Sequence, residues 1–304
     1  MKRTRILWLL PLLITALVIS CPGDNGEQGN PADNGGLTNP GDNGGEETNP
    51  AQPKQITVYM AGDSTMCVWQ EDDPNAQGWT GEGSAYANYQ IKPRGWGMYL
   101  QNYFDEDEVK VINVAHSGRS AKDFLALAGG DNYSRIVNNI KAGDYLFVSF
   151  GHNDEKDQSL AGNIGTATEE TEGSYQWYLY EKYVKVAREK GATPVLLTPV
   201  SRRANTGGEN VNSHGLFPAA VKALAASKNV AIIDLTQLSA DFLNNLNASG
   251  GAAATLAMMS RNGSGGADNS HFSEKGAKEI CELVVKDIKR QNIMQGVNFK
   301  TGNE

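Results

Sequence analysis

A serine, a histidine and an aspartate stand where they could together carry out acyl transfer. Ser64 lies in the segment 62–66, directly after a predicted strand, and Asp268 lies three residues ahead of His271. An aspartate at that spacing can curl back and hold the imidazole by Nδ1, which leaves Nε2 free to take a proton from a serine. The pattern therefore predicts Ser64 as nucleophile, His271 as general base and Asp268 as the residue that orients the base.

Two further residues could stabilise the negative charge that develops on the attacked carbonyl oxygen. Gly118 follows the second predicted strand, and a glycine turn lets the backbone approach a ligand closely. Asn153 follows the third strand and brings an amide side chain to the same edge. Ser64 is predicted to begin a helix, where backbone N–H groups are free. We therefore expect an oxyanion hole made by Ser64, Gly118 and Asn153.

Each residue also has a plainer explanation when it is taken alone. Ser64 could cap a helix, Gly118 could serve a simple turn, and Asn153 could bond its own backbone. Asp268 and His271 could form a surface pair. The combination favours catalysis, because four fragments at the ends of four elements supply every part that acyl transfer needs.

The elements that must position these residues alternate between strand and helix patterns. Short β-branched strands separated by helices predict a parallel sheet covered on both faces, whose ligands bind at the carboxyl ends of the strands. The predicted strands are 55–60, 109–114, 144–150, 193–198 and 230–234. One helix is predicted over 174–190, with Trp177, Tyr180, Val184 and Ala187 on its apolar face. Another is predicted over 274 to about 290, with Ser273 as N-cap and an apolar face of Ala277, Ile280, Cys281, Val284 and Ile288.

The first 53 residues differ in composition from the rest. Residues 1–20 combine three basic residues with an apolar stretch too short for a comfortable membrane span, which predicts a signal peptide. The stretch runs into Ser20-Cys21, a pattern typical of a bacterial lipobox, so we expect lipidation of Cys21; an ordinary signal peptide is the alternative. Residues 21–53 are rich in Gly, Asn, Asp and Pro and predict a disordered tether. These features place the protein in the cell envelope, on the outer membrane or the outer face of the cytoplasmic membrane, and leave 54–304 for one domain.

Composition narrows the possible partners. The formal net charge is −8 and no basic run occurs, so nucleic acid is not an expected partner. After Cys21 only Cys67 and Cys281 remain, which is neither a disulfide framework nor a CxxC metal site. They could form one disulfide or stay as two buried thiols. His116 and His152 also follow strands, which keeps zinc ligation open on their types alone.

Four fragments in chain order resemble the blocks of the SGNH (GDSL-type) hydrolases: residues 62–64, 118, 151–154 and 268–271. Within that superfamily the chain most resembles the rhamnogalacturonan acetylesterases, through segments 61–66, 95–97, 117–120, 150–154, 198–203, 214–215 and 268–272. The α/β-hydrolase signature G-x-S-x-G is absent. The resemblance implies a three-layer α/β/α sandwich with a five-stranded parallel sheet in the order 2-1-3-4-5.

The resemblance also implies a serine esterase that removes acetyl groups from pectic galacturonate without a metal or cofactor. Ser64, Asp268 and His271 would form the triad. The candidate substrate-binding residues are Arg119, His152, Arg202, Arg203 and His214. A guanidinium suits a galacturonate carboxylate, whereas ion pairs with acids of the domain itself are the alternative.

The role of one loop, the substrate and the functional class each have an alternative interpretation. The aromatic-rich loop 67–93 could be a sugar-stacking wall or a partly buried lid. The substrate could be another acetylated glycan, such as xylan or a surface polysaccharide, or a small lipid or aryl ester. A non-catalytic lipoprotein that binds glycans is the alternative from a different functional class.

Overall fold

The computed structural model describes residues 55–126, 131–204, 210 and 212–300 of the chain. The predicted signal peptide (1–20), Cys21 and the tether (21–53) lie outside the described residues and stay predictions. No helix within the described residues is long and apolar enough to cross a membrane.

A five-stranded parallel sheet lies at the centre of the fold. Its strands are β1 (Ile56–Gly62), β2 (Val109–Asn113), β3 (Tyr145–Ser149), β4 (Thr193–Leu197) and β5 (Ala231–Ile233). They pair in parallel in the order β2-β1-β3-β4-β5, which confirms the predicted order 2-1-3-4-5. The order reverses beside β1, and ligand crevices of open parallel sheets lie at such a point.

Alternate residues of the strands enter two separate cores, which makes the three predicted layers. Val58 and Met60 of β1 belong to one core, while Tyr59 and Ala61 belong to the other. The first core is covered by the 3₁₀ helix Trp96–Tyr103 and the helices Leu235–Leu256, interrupted at Gly251, and Glu274–Gln291. The second is covered by the helices Asp131–Val137, Gln158–Ala161, Tyr175–Trp177, Tyr178–Val184, Lys185–Glu189 and Phe217–Lys228.

Two short strand pairs and two 3₁₀ turns lie outside the central sheet. A parallel pair joins Trp69–Gln70 to Gly78–Trp79. An antiparallel pair joins β6 (Met259–Arg261) to β7 (Ala267–Phe272). Two 3₁₀ turns cover Asp123–Ala126 and Asp154–Lys156.

The helix predicted over 174–190 is not a regular α-helix. Its middle part, Tyr178–Val184, is a π-helix, whose wider turn changes which residues face inward. Tyr175, Leu179 and Tyr183 are buried, whereas Trp177 and Tyr180 are only half-buried, so the predicted apolar face is partly wrong. The buried hydroxyls of Tyr175 and Tyr183 donate to the carbonyls of Phe150 (2.9 Å) and Ala121 (2.7 Å).

The last helix confirms its prediction. All five residues of the predicted apolar face are buried, and the Ser273 hydroxyl accepts the backbone N–H of Gly276. Because Ser273 directly follows β7, this cap ties the helix to the strand that carries His271. Cys67 and Cys281 are buried free thiols, which is the second of the two alternatives that the sequence left open.

Candidate active site

Ser64 lies in a single turn at the carboxyl end of β1, rather than at the start of the predicted helix. The backbone N–H groups of Met66 (3.2 Å) and Cys67 (3.0 Å) donate to the carbonyl of Asp63. The backbone N–H of Thr65 donates to the carboxylate of Asp63 at 2.9 Å. Among residues 64–67, only the N–H of Ser64 has no acceptor in the described part of the chain. The turn thus supplies the donor expected of a helix start by a different local structure.

Tight backbone packing under this turn requires glycine. The N–H of Trp96 donates to the carbonyl of Thr65 at 2.9 Å. A Cβ atom at Gly95 would lie 2.2 Å from the carbonyl oxygen of Cys67, which no side chain could tolerate. The segment 95–97 is one of the fragments on which the resemblance depends. It therefore holds the Ser64 turn in place by packing against its backbone.

Asp268, His271 and Ser64 form a continuous series of hydrogen bonds. The Nε2 atom of His271 lies 2.9 Å from Oγ of Ser64, and its Nδ1 lies 2.6 Å from Oδ2 of Asp268. The other carboxylate oxygen of Asp268 accepts the backbone N–H groups of Ser270 (3.0 Å) and His271 (3.2 Å). The aspartate thus curls back along its own chain, and the series can move a proton from the serine to the imidazole.

The surroundings of Asp268 keep its carboxylate charged. Burial by itself would raise the pKa of Asp268, but the hydrogen bond and charge of His271 and the two backbone donors outweigh it and hold the pKa at about 2. A carboxylate that stays ionised can stabilise the imidazolium formed when the serine loses its proton.

Aromatic side chains of the loop 67–93 surround the imidazole. Trp69 and Tyr86 meet the ring of His271 edge-on, with centroids 5.6 and 5.4 Å away. The indole N–H of Trp69 donates to the carbonyl of Ser64 at 2.9 Å, and the hydroxyl of Tyr89 donates to Asp268 at 3.1 Å. The loop therefore braces the catalytic side chains, a role that sequence reasoning missed although it noted the aromatic residues beside the nucleophile.

Gly118 and Asn153 come from the loops after β2 and β3. The backbone of Gly118 has a φ of +76°, in the left-handed region that glycine adopts without strain. The side-chain amide of Asn153 donates to the carbonyl of Arg119 at 3.1 Å, and its oxygen accepts from Lys156 at 3.3 Å. These contacts distinguish Nδ2 from Oδ1 of the amide. The second N–H of Nδ2 stays available to donate to an oxyanion.

The cleft that contains these groups is small and polar. Its volume is about 200 Å³. It is lined by Ser64, Tyr86, Ser117, Gly118, His152, Asn153, Lys156, Arg202, Ser270 and His271. The four residues predicted for nucleophile, base and oxyanion donors are thus brought together, and Asp268 contacts the imidazole from its Nδ1 side.

Replacing Asn153 by alanine should lower kcat without preventing folding. The substitution removes the only side-chain donor of the expected oxyanion hole, and losing one such donor typically costs about 10²–10³ in turnover. Steady-state hydrolysis of an aryl acetate would measure the effect. Full activity in Asn153→Ala would show that the amide does not contact the oxyanion.

Arg202 lines the cleft, but its guanidinium is already engaged. It forms an ion pair with Glu155. It also donates to the hydroxyl of Ser270 at 3.2 Å and to the carbonyl of Ser213 at 3.3 Å. The alternative of an ion pair with an acid of the domain itself is thus the arrangement that the structure shows.

His152 and His214 are buried and share one acceptor. Their Nε2 atoms lie 3.0 and 2.9 Å from the carbonyl oxygen of Val200, and their rings lie 4.4 Å apart. Burial lowers the pKa of His152 well below its usual range, and His214 and Arg202 lower it further, so His152 is neutral at pH 7. His152 reaches the cleft, whereas His214 is not among the lining residues. Within the described residues no cluster of three or more potential ligands could hold a metal ion.

Arg203 and Arg119 differ from the sequence-based expectation. Arg203 donates to Thr255 (3.0 Å) and to the side chain of Asn269 (3.1 Å), so it braces the segment before His271 rather than facing the cleft. Arg119 acts through its backbone carbonyl, which holds the amide of Asn153. Neither side chain lines the cleft.

Asp154, the residue after Asn153, is fully buried and has a raised pKa. One carboxyl oxygen accepts the N–H of Ala121 at 2.8 Å, and the other has no partner in the part of the chain described. Burial raises the pKa of Asp154 to about 8, and the nearby charge of Asp63 adds to this. The folded protein therefore holds one more proton than the unfolded chain between about pH 4 and pH 8.

We expect Asp154→Asn to change how stability depends on pH. The contribution of Asp154 to the free energy of unfolding of the wild type should fall as pH rises over that range, because Asp154 ionises in the unfolded chain and stays protonated in the folded one. The variant cannot ionise at position 154, so its free energy of unfolding relative to the wild type should increase by up to about 1.4 kcal/mol per pH unit. Denaturant unfolding from pH 4 to pH 8 measures the difference. A constant difference between the two proteins would contradict the buried neutral acid.

The chain is similar in sequence to one protein family and to two bacterial proteins described below. Residues 61–278 match the GDSL-like lipase/acylhydrolase family. The chain is 34% identical over 232 residues to the probable rhamnogalacturonan acetylesterase YesY of Bacillus subtilis (strain 168), covering 76% of this chain and 92% of that protein. It is 32% identical over 240 residues to the rhamnogalacturonan acetylesterase RhgT of the same organism, covering 77% and 90%. The matched family segment includes every residue of the predicted triad and oxyanion hole.

A solved structure also resembles the fold. The crystal structure of YxiM from Bacillus subtilis superposes with a TM-score of 0.58 at 25% identity, over 79% of this chain. The match spans 58% of the YxiM chain, so this protein corresponds to little more than half of that one.

Proposed function

This chain belongs to the GDSL-like lipase/acylhydrolase family and is an acetylesterase of the SGNH class, and we propose that it removes acetyl groups from a pectic polysaccharide of rhamnogalacturonan type. The observation that carries the proposal is the hydrogen-bonded series from Asp268 through His271 to Ser64 at the wall of a cleft.

In the proposed mechanism Ser64 Oγ attacks the acetyl carbonyl while His271 Nε2 accepts its proton. Asp268 keeps Nδ1 protonated and stabilises the imidazolium. The oxyanion receives hydrogen bonds from the N–H groups of Ser64 and Gly118 and from the amide of Asn153. His271 then returns the proton to the departing sugar hydroxyl, which leaves an acetyl–Ser64 ester. Water, deprotonated by His271, hydrolyses this ester and releases acetate.

The size and polarity of the cleft support a short acyl group. The cleft has a volume of about 200 Å³, and its lining includes polar side chains such as Asn153 and Lys156, which suits a short acyl group better than a long apolar one. We therefore expect acetyl esters to be preferred over long acyl esters. The names of YesY and RhgT support the pectic substrate.

Substrate comparison tests the proposal directly. Acetate release would be measured from acetylated rhamnogalacturonan and acetyl-xylan, and p-nitrophenol release from p-nitrophenyl esters of increasing acyl length. The proposal expects the highest kcat/KM among the polysaccharides for rhamnogalacturonan and a steep fall with acyl length. A preference for xylan would replace the substrate but keep the chemistry, whereas a preference for long acyl chains would overturn the polysaccharide reading.

The position of the enzyme in the cell is a separate proposal. The lipobox pattern before Cys21 and the polar composition of residues 22–53 support a lipid-anchored enzyme on a tether in the cell envelope. Cys21→Ser should abolish incorporation of labelled fatty acid into the protein. Equal labelling of the wild type and this variant would refute an anchor at Cys21.

A further inference from the structure

The cations that line the active-site cleft differ in how their charges are balanced. Arg202 forms an ion pair with Glu155, so its charge is compensated. Lys156 lines the same cleft and is exposed. Its ammonium group contacts the side-chain oxygen of Asn153 at 3.3 Å, which is a neutral partner. Within the described residues no carboxylate forms an ion pair with Lys156.

The acids next to Lys156 in sequence are engaged elsewhere. Glu155 binds Arg202 and lies 3.0 Å from Nδ1 of His214. Asp157 forms an ion pair with Lys122 at 3.3 Å and accepts the hydroxyl of a serine at 2.7 Å. Both neighbouring carboxylates thus pair with other cations, and Lys156 is left as an uncompensated positive charge in the cleft that Ser64 also lines.

An uncompensated cation in a substrate cleft favours an anionic ligand. A lysine ammonium is a point charge on a flexible stem, so it can follow a carboxylate whose position varies along a polymer. Arg202 is the less suitable receptor, although its side-chain type first suggested it, because Glu155 would compete with any substrate carboxylate for the same guanidinium.

We infer that Lys156 binds the carboxylate of a uronic acid residue next to the acetylated sugar hydroxyl, and that this contact makes the enzyme select acidic over neutral acetylated glycans. The inference rests on the proposed function, since it takes the substrate to be an acetylated glycan. In this arrangement Lys156 binds the charge of the polymer, whereas Ser64 and His271 cleave the ester.

Lys156 could instead act only by orienting the amide of Asn153, and the two roles give different kinetics. Loss of a positioning role would lower kcat for every ester by the same factor. Loss of a carboxylate contact would weaken the reaction of charged substrates more than that of neutral ones, mainly through KM. The ratio of the two kcat/KM values therefore separates the roles.

The test uses the full-length protein and two forms of one acetylated galacturonate oligosaccharide, one with free carboxylates and one with methyl-esterified carboxylates. Acetate release gives kcat/KM for each form, and the preference is the ratio of free acid to methyl ester. Lys156→Met should lower this preference about tenfold, and Lys156→Arg should retain most of it. Lys286→Met, at an exposed lysine that lines a different cleft, is the matched control and should leave the preference unchanged. The preference of the wild type should also fall as salt is added.

The outcomes separate the inference from the function on which it rests. An unchanged preference in Lys156→Met, or an equal loss on both forms, would overturn the carboxylate contact while the esterase function stands. A wild type that deacetylates an aryl acetate but neither oligosaccharide would overturn the proposed substrate and this inference with it.

Discussion

Ser64→Ala should lose about six orders of magnitude in kcat, because removing the nucleophile of a catalytic triad typically has an effect of that size. No other hydroxyl lies within hydrogen-bonding distance of Nε2 of His271 in the described residues. The backbone N–H of the residue is retained, so the variant keeps the oxyanion donors and should still bind substrate. Acetate release and single-turnover assays with an aryl acetate measure the loss.

The fold of the Ser64 variant should remain intact. The substitution removes the hydrogen bond to His271 but none of the bonds that Asp63 forms within the turn. We expect a loss of about 1 kcal/mol or less in the free energy of unfolding. Ser249→Ala, at an exposed serine on the helix Leu235–Leu256, is a matched control that should keep full activity. More than a few per cent of activity in Ser64→Ala would refute the triad.

His271→Ala should lower kcat by a similar factor, since Ser64 then has no acceptor for its proton. The losses should not add: a Ser64→Ala/His271→Ala double variant should be no slower than either single variant, because the two side chains act as one unit. Added imidazole should restore part of the activity of His271→Ala by occupying the vacated space beside the rings of Trp69 and Tyr86. Additive losses in the double variant would contradict the hydrogen-bonded series.

The same base predicts how the wild type responds to acid. Protonation of His271 removes the lone pair that accepts the serine proton, so the rate should fall toward acid pH. Asp268, whose pKa is held at about 2, should stay ionised through that fall. A pH–rate profile that is flat down to about pH 4 would exclude His271 as the base.

Several features of this protein could be predicted from the sequence because they depend on local patterns. The strands of the central sheet and the last helix follow from hydrophobic periodicity, which is set by the nearest neighbours in the chain. The pairing of Asp268 with His271 follows from a spacing of three residues. Ser64, Gly118 and Asn153 were expected to meet because each follows a strand of one parallel sheet, and the parallel pairing confirms their common edge.

Other features were decided only by the tertiary structure, because they join residues distant in sequence. The hydroxyl of Tyr89 reaches Asp268 across 179 residues, and no local pattern indicates this contact. Both Arg202 and Lys156 are cations by type, so the sequence alone could not rank them as receptors for a carboxylate. The ion pair of Arg202 with Glu155 separates them, because charges matter only at the distances that packing sets. The sequence by itself thus determined which groups could perform the chemistry. The fold decided which charged groups already form ion pairs within the protein and which stay available to a substrate.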